Sequence, residues 1–345
     1  MNISILQTFS NKARRRIPKE VVGIDFGATG IKLTRITLTN GQPQLIAADI
    51  LPALRTVDES GQSIEPQPLS LPARVKARIA ALAISGTNSI IKLLSLPGHF
   101  DASAEARVIE ALGLEKPENY RIGYKVIVEG HGKSESRILS VAMPETEAQI
   151  YPKLFPSGSP VPCSIELSEL ATLTAFANQV IKQNENVALI DFGTTTTMFS
   201  VFAKGILVLL RRFQFGTNTL LEKVQTMLGV DAETARGIIS DSAFDISHAS
   251  MEILGPFLKQ LAVSRDYIER RENYKITAIY TIGGMAFSRD LINGLKSTMS
   301  MDPILWDPLQ GITTTPDAIP EKIKGQEWRL ASAIGSAMAS FEAEE

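Results

Sequence analysis

Cysteine is nearly absent. The 345 residues contain one, Cys163, which excludes an intramolecular disulfide framework and points to a reducing compartment. Histidine is almost as scarce, and His99, His131 and His248 stand too far apart for the local ligand spacings of a zinc site. Neither sign of charge is in excess: 35 Lys and Arg face 37 Asp and Glu, a net charge of −2, which argues against a basic surface that holds nucleic acid. Long apolar runs are missing too. Stretches such as Ile206 to Leu210 fall far short of the ~20 residues that span a bilayer. The basic patch of Lys12, Arg14, Arg15 and Arg16 lacks the apolar core that follows it in a secretion signal. The expectation is a cytoplasmic protein without a structural metal.

What is present is ordinary globular composition, 44% hydrophobic and 21% charged, in a chain long enough for two domains at roughly 150 residues each. A leader, 1–20, reads as a tail with a short amphipathic start (Ile3, Ile5, Leu6, Phe9). Val21 to Ile24 is apolar and β-branched and runs into Asp25-Phe26-Gly27-Ala28-Thr29-Gly30-Ile31-Lys32-Leu33, a strand, a tight glycine turn and a second strand. Asn40-Gly41 predicts another hairpin turn into a third strand over Leu45 to Leu51, and Pro52 to Pro72 reads as a loop. Val75, Ile79, Ala80 and Leu82 have helical spacing, so Arg74 to Leu82 is predicted as a helix, followed by strand composition from Ala83 to Leu96. From there to Pro156 a small α/β insert is expected, with a helix near Ala104 to Leu112 and strands at Gly123 to Val128 and Ile138 to Ala142. Ser164 to Ala177 is predicted as a buried helix.

About half a chain length after Asp25 the same event recurs. Val187-Ala188-Leu189-Ile190-Asp191-Phe192-Gly193-Thr194-Thr195-Thr196-Thr197 is again an apolar strand, an aspartate, a glycine and small hydroxyl residues before a strand. An internal duplication is the simplest account. Strand Ile206 to Phe215, helices Asn218 to Leu228, Asp231 to Ile239 and Ser250 to Arg271, strand Ala278 to Ile282 and a small-residue helix Glu327 to Phe341 complete the reading.

A strand that ends in Asp-x-Gly and turns through small residues presents several backbone N–H groups in a row, and such a concavity binds phosphate oxygens. Its aspartate can hold a hydrated Mg²⁺ on those phosphates. One such turn is weak evidence, because Asp-x-Gly occurs in many hairpins; two, symmetrically placed, predict a nucleotide clamped between twin domains. Tyr280-Thr281-Ile282-Gly283-Gly284-Met285-Ala286 adds a glycine pair at a strand end, suited to backbone lying flat against a base or ribose.

These segments resemble the actin-like ATPase superfamily and, within it, the PilM family of type IV pilus assembly proteins, related to FtsA. Gly23-Ile24-Asp25-Phe26-Gly27 with Ile31-Lys32 is similar to the family's first phosphate segment, and Ile190-Asp191-Phe192-Gly193 with Thr197 to the second. Arg212-Phe213-Gln214-Phe215-Gly216 resembles the strand and turn that follow, Ile282-Gly283-Gly284 the adenosine segment, and Ser164 to Ala171 and Ala331 to Gly335 the two connecting helices. The resemblance implies an α/β actin-like ATPase fold of two ribonuclease-H-like domains: 21–82 plus 157–186, and 187–345 with a helical part at 230–275, with the small subdomain inserted at 83–156. It implies ATP and Mg²⁺ as ligands. Phosphates would meet Gly27, Ala28, Thr29, Lys32, Gly193, Thr194, Thr195 and Thr196; the adenosine would meet Gly216, Glu233, Arg236, Gly283, Gly284 and Met285; Asp25 and Asp191 would hold Mg²⁺ through water. Where the family carries Ala-Glu followed by Lys, this chain has Ala235-Arg236 and Ile239, with Glu233 nearby. Glu166 and Glu169 are the candidates to orient or deprotonate an attacking water, or else carboxylates that complement a helix dipole.

The implied role is a nucleotide-responsive scaffold of type IV pilus or type II secretion-like assembly, at most a weak ATPase, that docks the cytoplasmic tail of a PilN-like inner-membrane protein and other pilus assembly proteins. It would reach the membrane only through partners, bind no nucleic acid and have the capacity to self-associate. Two rivals share the core: an FtsA-like filament protein, which would carry an amphipathic anchor where this chain has Phe341-Glu342-Ala343-Glu344-Glu345, and a small-molecule kinase, for which no acceptor-site motif is found.

Overall fold

The computed structural model describes residues 17–54, 66–182, 185–240 and 247–341. Most of the predicted leader, the centre of the Pro52 to Pro72 loop and the acidic end after Phe341 lie outside these residues. Two compact units form, one from 1–180 with 308–345 and the other from 181–307.

The first unit opens with an antiparallel meander of β1 (Glu20–Gly27), β2 (Gly30–Thr39) and β3 (Gln42–Leu51). Asn40 and Gly41 both take positive φ, 53° and 77°, as a two-residue hairpin turn with matching twist requires. Next come β4 (Ile79–Ile84), β5 (Ile90–Pro97), α1 (Ala102–Leu112), β6 (Tyr120–Val128), β7 (Glu135–Pro144), α2 (Glu145–Ala148), β8 (Val161–Leu167) and α3 (Ser168–Val180). β4 runs parallel to β1, and β8 parallel to β4. Strands β5, β7 and β6 form a separate antiparallel sheet on which α1 packs through Val108, Leu112, Ile122, Ile138 and Ala142. Lys92 Nζ, on β5, donates to the carbonyls of Ala111 and Leu112 at 2.8 and 3.0 Å, placing a cation on the C-terminal end of α1.

The second unit comprises β9 (Val187–Phe192), β10 (Thr197–Ala203), β11 (Ile206–Phe213), α4 (Thr217–Leu228), α5 (Ala232–Ser240), α6 (Ser247–Glu272), β12 (Ala278–Gly283), α7 (Arg289–Met299) and β13 (Ile304–Leu305). Its helices cover a core centred on Phe257, whose ring stacks on Phe215 at 4.5 Å and meets Phe213 and Phe192 edge-on at 5.4 and 6.1 Å. The chain then returns to the first unit with β14 (Thr313–Thr314), parallel to β3, and α8 (Ala331–Ala339), packed on α3 and β1.

The strand orders are β14-β3-β2-β1-β4-β8 and β11-β10-β9-β12-β13. Setting aside the two-residue β14, each unit has an antiparallel meander whose first strand continues into two parallel strands. The duplication suggested by the two aspartates is thus present in topology.

Glycine allows α8 to approach its neighbours closely. A Cβ on Gly335 would lie 1.8 Å from the Ala171 carbonyl oxygen of α3, and one on Gly23 of β1 would lie 1.9 Å from that of Ala333. The small residues of α8 therefore let strand and helix backbones pack almost in contact.

Four elements differ from the sequence reading. Arg74 to Leu82 is no helix: a 3₁₀ turn (Ala73–Val75) precedes β4, whose Ala80 to Ile84 are all buried. A strand covered on both faces reads as a continuous apolar run, and such a short run also fits helical spacing. Ser164 to Leu167 belongs to β8, and the helix starts only at Ser168. The last helix begins at Ala331 after a 3₁₀ turn (Glu327–Leu330). Residues 308–341, grouped by the sequence with the second domain, belong by their contacts to the first unit.

Candidate functional site

In the first unit, strand register builds the site around Asp25. Asp25 stands opposite Lys32 of β2 and Ala83 of β4, and Ala83 stands opposite Glu166 of β8. Residues in register share a sheet face, so Lys32, Asp25 and Glu166 line one side with a small alanine between the carboxylates. All three are buried. Lys32 Nζ lies 3.1 Å from Asp25 Oδ2, and Ser168 Oγ, at the start of α3, donates to Asp25 Oδ1 at 2.6 Å. Both carboxylate oxygens thus have a partner.

The turn beside this pair is Ala28-Thr29, exposed at the tip between β1 and β2. Gly27 leaves space that Lys32 fills, since a Cβ there would lie 2.1 Å from its Nζ. Gly30 has φ of 141°, and a Cβ would meet the Leu51 carbonyl oxygen at 2.7 Å, so no other residue closes this hairpin without strain. Arg329, from the 3₁₀ turn before α8, donates through Nη2 to the Thr29 carbonyl at 2.8 Å. Burial pulls the Arg329 guanidinium below its ordinary pKa, and the nearby Asp25 charge acts in the other direction. Burial, followed by Glu147 and Asp25, raises the Tyr151 phenol, whose ring lies 4.8 Å from that of Phe26.

Of the two candidate catalytic carboxylates, Glu166 sits at the end of a strand rather than in a helix, in line with Asp25. Glu169 is the one in the first turn of α3. Ser168 and Arg329 escaped the sequence reading. A serine at a strand-to-helix junction carries no distinctive signal, and Arg329 meets a turn 300 residues away in the chain.

In the second unit, Asp191 stands opposite Met198 rather than a lysine, and the loop between β9 and β10 is four residues, Gly193 to Thr196. Its backbone closes on itself, with Gly193 N–H donating to the Thr196 carbonyl at 3.0 Å. The start of α4 is tied to it: Thr217 N–H donates to the Gly193 carbonyl at 3.1 Å and Asn218 N–H to that of Thr194 at 2.9 Å. Gly216 is required there, because a Cβ would lie 2.5 Å from the Thr194 carbonyl oxygen. Gly284 N–H donates to the Phe192 carbonyl at 3.1 Å, while Gly283, with φ of 98°, would put a Cβ 2.2 Å from that same oxygen. The predicted segments at 193–196, 216 and 283–284 therefore meet in this unit, each held by backbone contacts. Met285 is buried in the core of this unit. Glu233 and Arg236 are exposed on α5, on either side of the fully buried Ala235, and Ile239 packs against the core. Asp231 caps α5: its Oδ1 accepts from Thr234 N–H at 2.8 Å, and that bond holds its carboxyl below the usual range.

Among the described residues no group of three or more His, Cys, Asp or Glu side chains could hold a metal ion, and no helix is long and apolar enough to cross a membrane. A lone carboxylate in each hairpin suits a cation carried in on phosphates better than one caged by protein. The tight glycine turns and the cations beside Ala28-Thr29 suit the phosphates themselves.

The chain resembles one member of a solved PilM-PilN type IV pilus biogenesis complex at 17% identity, with a TM-score of 0.79 over 94% of this chain and 100% of that one. Weaker likenesses are a Bacteroides thetaiotaomicron protein with an actin-like ATPase fold (11% identity, 86% of this chain and 95% of that one, TM-score 0.46) and an archaeal actin homologue (12% identity, 93% and 98%, TM-score 0.42). No curated protein matches. The fold is that of the actin-like ATPases. The family model for type IV pilus assembly protein PilM matches residues 168–341, half of the chain, and the chain belongs to that family.

Proposed function

We propose that this type IV pilus assembly protein is an ATP-binding scaffold that docks the cytoplasmic segment of a PilN-like membrane protein. The observation that carries the reading is the likeness, over the full length of that chain, to a protein solved in a PilM-PilN complex. In this reading the protein works at the inner face of the membrane through that partner and through other pilus assembly proteins. The nucleotide site is read from the two hairpins. In the first unit Gly27, Ala28, Thr29 and Lys32 hold phosphate; in the second, Gly193, Thr194, Thr195 and Thr196 do so, and Gly216, Gly283, Gly284 and Met285 form the adenosine side, with Glu233 and Arg236 as flanking candidates. Asp25 and Asp191 hold Mg²⁺ through water. When bound, Mg·ATP would supply the phosphate charge that these residues recognise; the chain's own residues bind and orient it, with Glu166 and Glu169 as the candidate water-orienting groups. A ligand that binds one conformation better shifts the population towards it, which is how nucleotide would regulate docking.

The test is calorimetric titration of the full chain with the cytoplasmic segment of a PilN-like membrane protein from the same organism, with and without Mg·ATP. Saturable binding whose affinity changes with Mg·ATP is the result expected. Failure to bind the segment in either condition overturns the docking role.

A further inference from the structure

Arg329 stands at the phosphate turn of the first unit with charge to spare. It lies on the 3₁₀ turn (Glu327–Leu330) that leads directly into α8. Two contacts hold its guanidinium. Nη1 donates to Gln326 Oε1 at 2.7 Å, and Nη2 donates to the Thr29 carbonyl at 2.8 Å with Thr29 Oγ1 at 3.4 Å. These bonds employ one N–H of Nη1, and both acceptors reached by Nη2 are on Thr29. The Nε–H and the second N–H of Nη1 remain available. Among the described residues no carboxylate lies within 4.0 Å of it, so no ion pair neutralises it.

Lys32 differs in this respect. It carries the charge that the sequence motif assigns to phosphate, yet in the structure its ammonium rests 3.1 Å from Asp25 Oδ2, with both side chains buried. A polyanion arriving at Ala28-Thr29 therefore meets Lys32 already paired and Arg329 unpaired. A planar guanidinium with several free N–H groups also matches phosphate oxygens better than an ammonium does.

We propose that Arg329 is a phosphate-recognition residue that lends the uncompensated positive charge of the site to the nucleotide's phosphate chain. The assignment rests on the nucleotide reading given above. It also connects the phosphate turn to α8, because the residue that reads the anion sits immediately before the helix whose backbone packs against β1 and α3.

The experiment is calorimetry on the full chain with Mg·ATP, Mg·ADP and adenosine as titrants. Arg329→Gln keeps an amide that can donate to the Thr29 carbonyl but removes the charge. It is expected to weaken Mg·ATP about ten- to a hundredfold, the scale of one charge-assisted hydrogen bond, while adenosine binding stays unchanged. Arg329→Lys should recover part of the loss. Gln326→Ala retains the charge and frees one anchor; it should weaken Mg·ATP by a smaller factor, again sparing adenosine, and decides the matter alone if Arg329→Gln fails to fold. Unchanged Mg·ATP affinity in these variants, or an equal loss for ATP and adenosine, overturns the assignment and leaves Arg329 as a structural tie. A wild-type chain that binds no ATP overturns the nucleotide reading itself and this assignment with it, a result distinct from wild-type binding that Arg329→Gln preserves.

Discussion

Asp25 and Lys32 face each other across the first hairpin at 3.1 Å, with side chains 4% and 10% exposed, and Ser168 takes the remaining carboxylate oxygen at 2.6 Å. A strand, its hairpin partner and the start of α3 are thereby fastened at one carboxylate. Removing one member of a buried pair leaves the other charge stranded, at a typical cost of about 3–5 kcal/mol. Lys32→Met should fall near that range in denaturant unfolding, and Lys32→Met with Asp25→Asn should be more stable than the sum of the single losses predicts. Additive losses would mean that the pair is not coupled.

Glycines separate tolerant from intolerant backbone. Gly335→Ala and Gly23→Ala drive a methyl into a carbonyl oxygen of a packed neighbour, at 1.8 and 1.9 Å from the ideal position, so something must shift. Overpacking of this kind costs about 1–3 kcal/mol. Gly237 in α5 has nothing within 4 Å of a Cβ. Gly237→Ala should therefore stabilise the second unit by about 0.5–1 kcal/mol through helix propensity. Opposite signs in chemical denaturation are the expected outcome, and destabilisation by Gly237→Ala would contradict the packing described.

Acid should weaken the inserted sheet through Glu145. Arg121 binds both its oxygens, at 2.6 and 3.1 Å, and this charge-assisted pairing holds the Glu145 carboxyl below its ordinary value of 4.5. A lowered folded-state pKa means that the pair's contribution is complete above the unfolded value and fades as pH falls through the folded one. The pair is about one-third exposed, so Glu145→Gln should cost no more than about 1 kcal/mol at neutral pH. The gap between wild type and variant should close as pH falls through and below the ordinary carboxylate range. A gap that persists unchanged at lower pH would rule this pair out as its source.

The duplicated hairpins were legible because a strand, an aspartate and a glycine turn are local patterns, and so were Asn40-Gly41 and the insert's helix and strands. Glu166 was placed on a helix because Ser164 to Leu167 is too short a stretch to display a strand period, and only its pairing with β4 shows what it is. The return of α8 to the first unit and the contact of Arg329 with Thr29 depend on packing between residues more than 150 positions apart, which no local period encodes. Ile239, noted as a departure at the lysine position, packs against the second unit's core, so burial accounts for its apolar side chain.

The most direct test is calorimetric titration of the full chain with Mg·ATP, repeated on Asp25→Ala and Asp191→Asn. Saturable binding by the wild type, a rise in melting temperature on adding Mg·ATP, and loss of both in each variant are the results expected. No binding by the folded wild type, or equal binding by the two variants, would contradict the nucleotide reading.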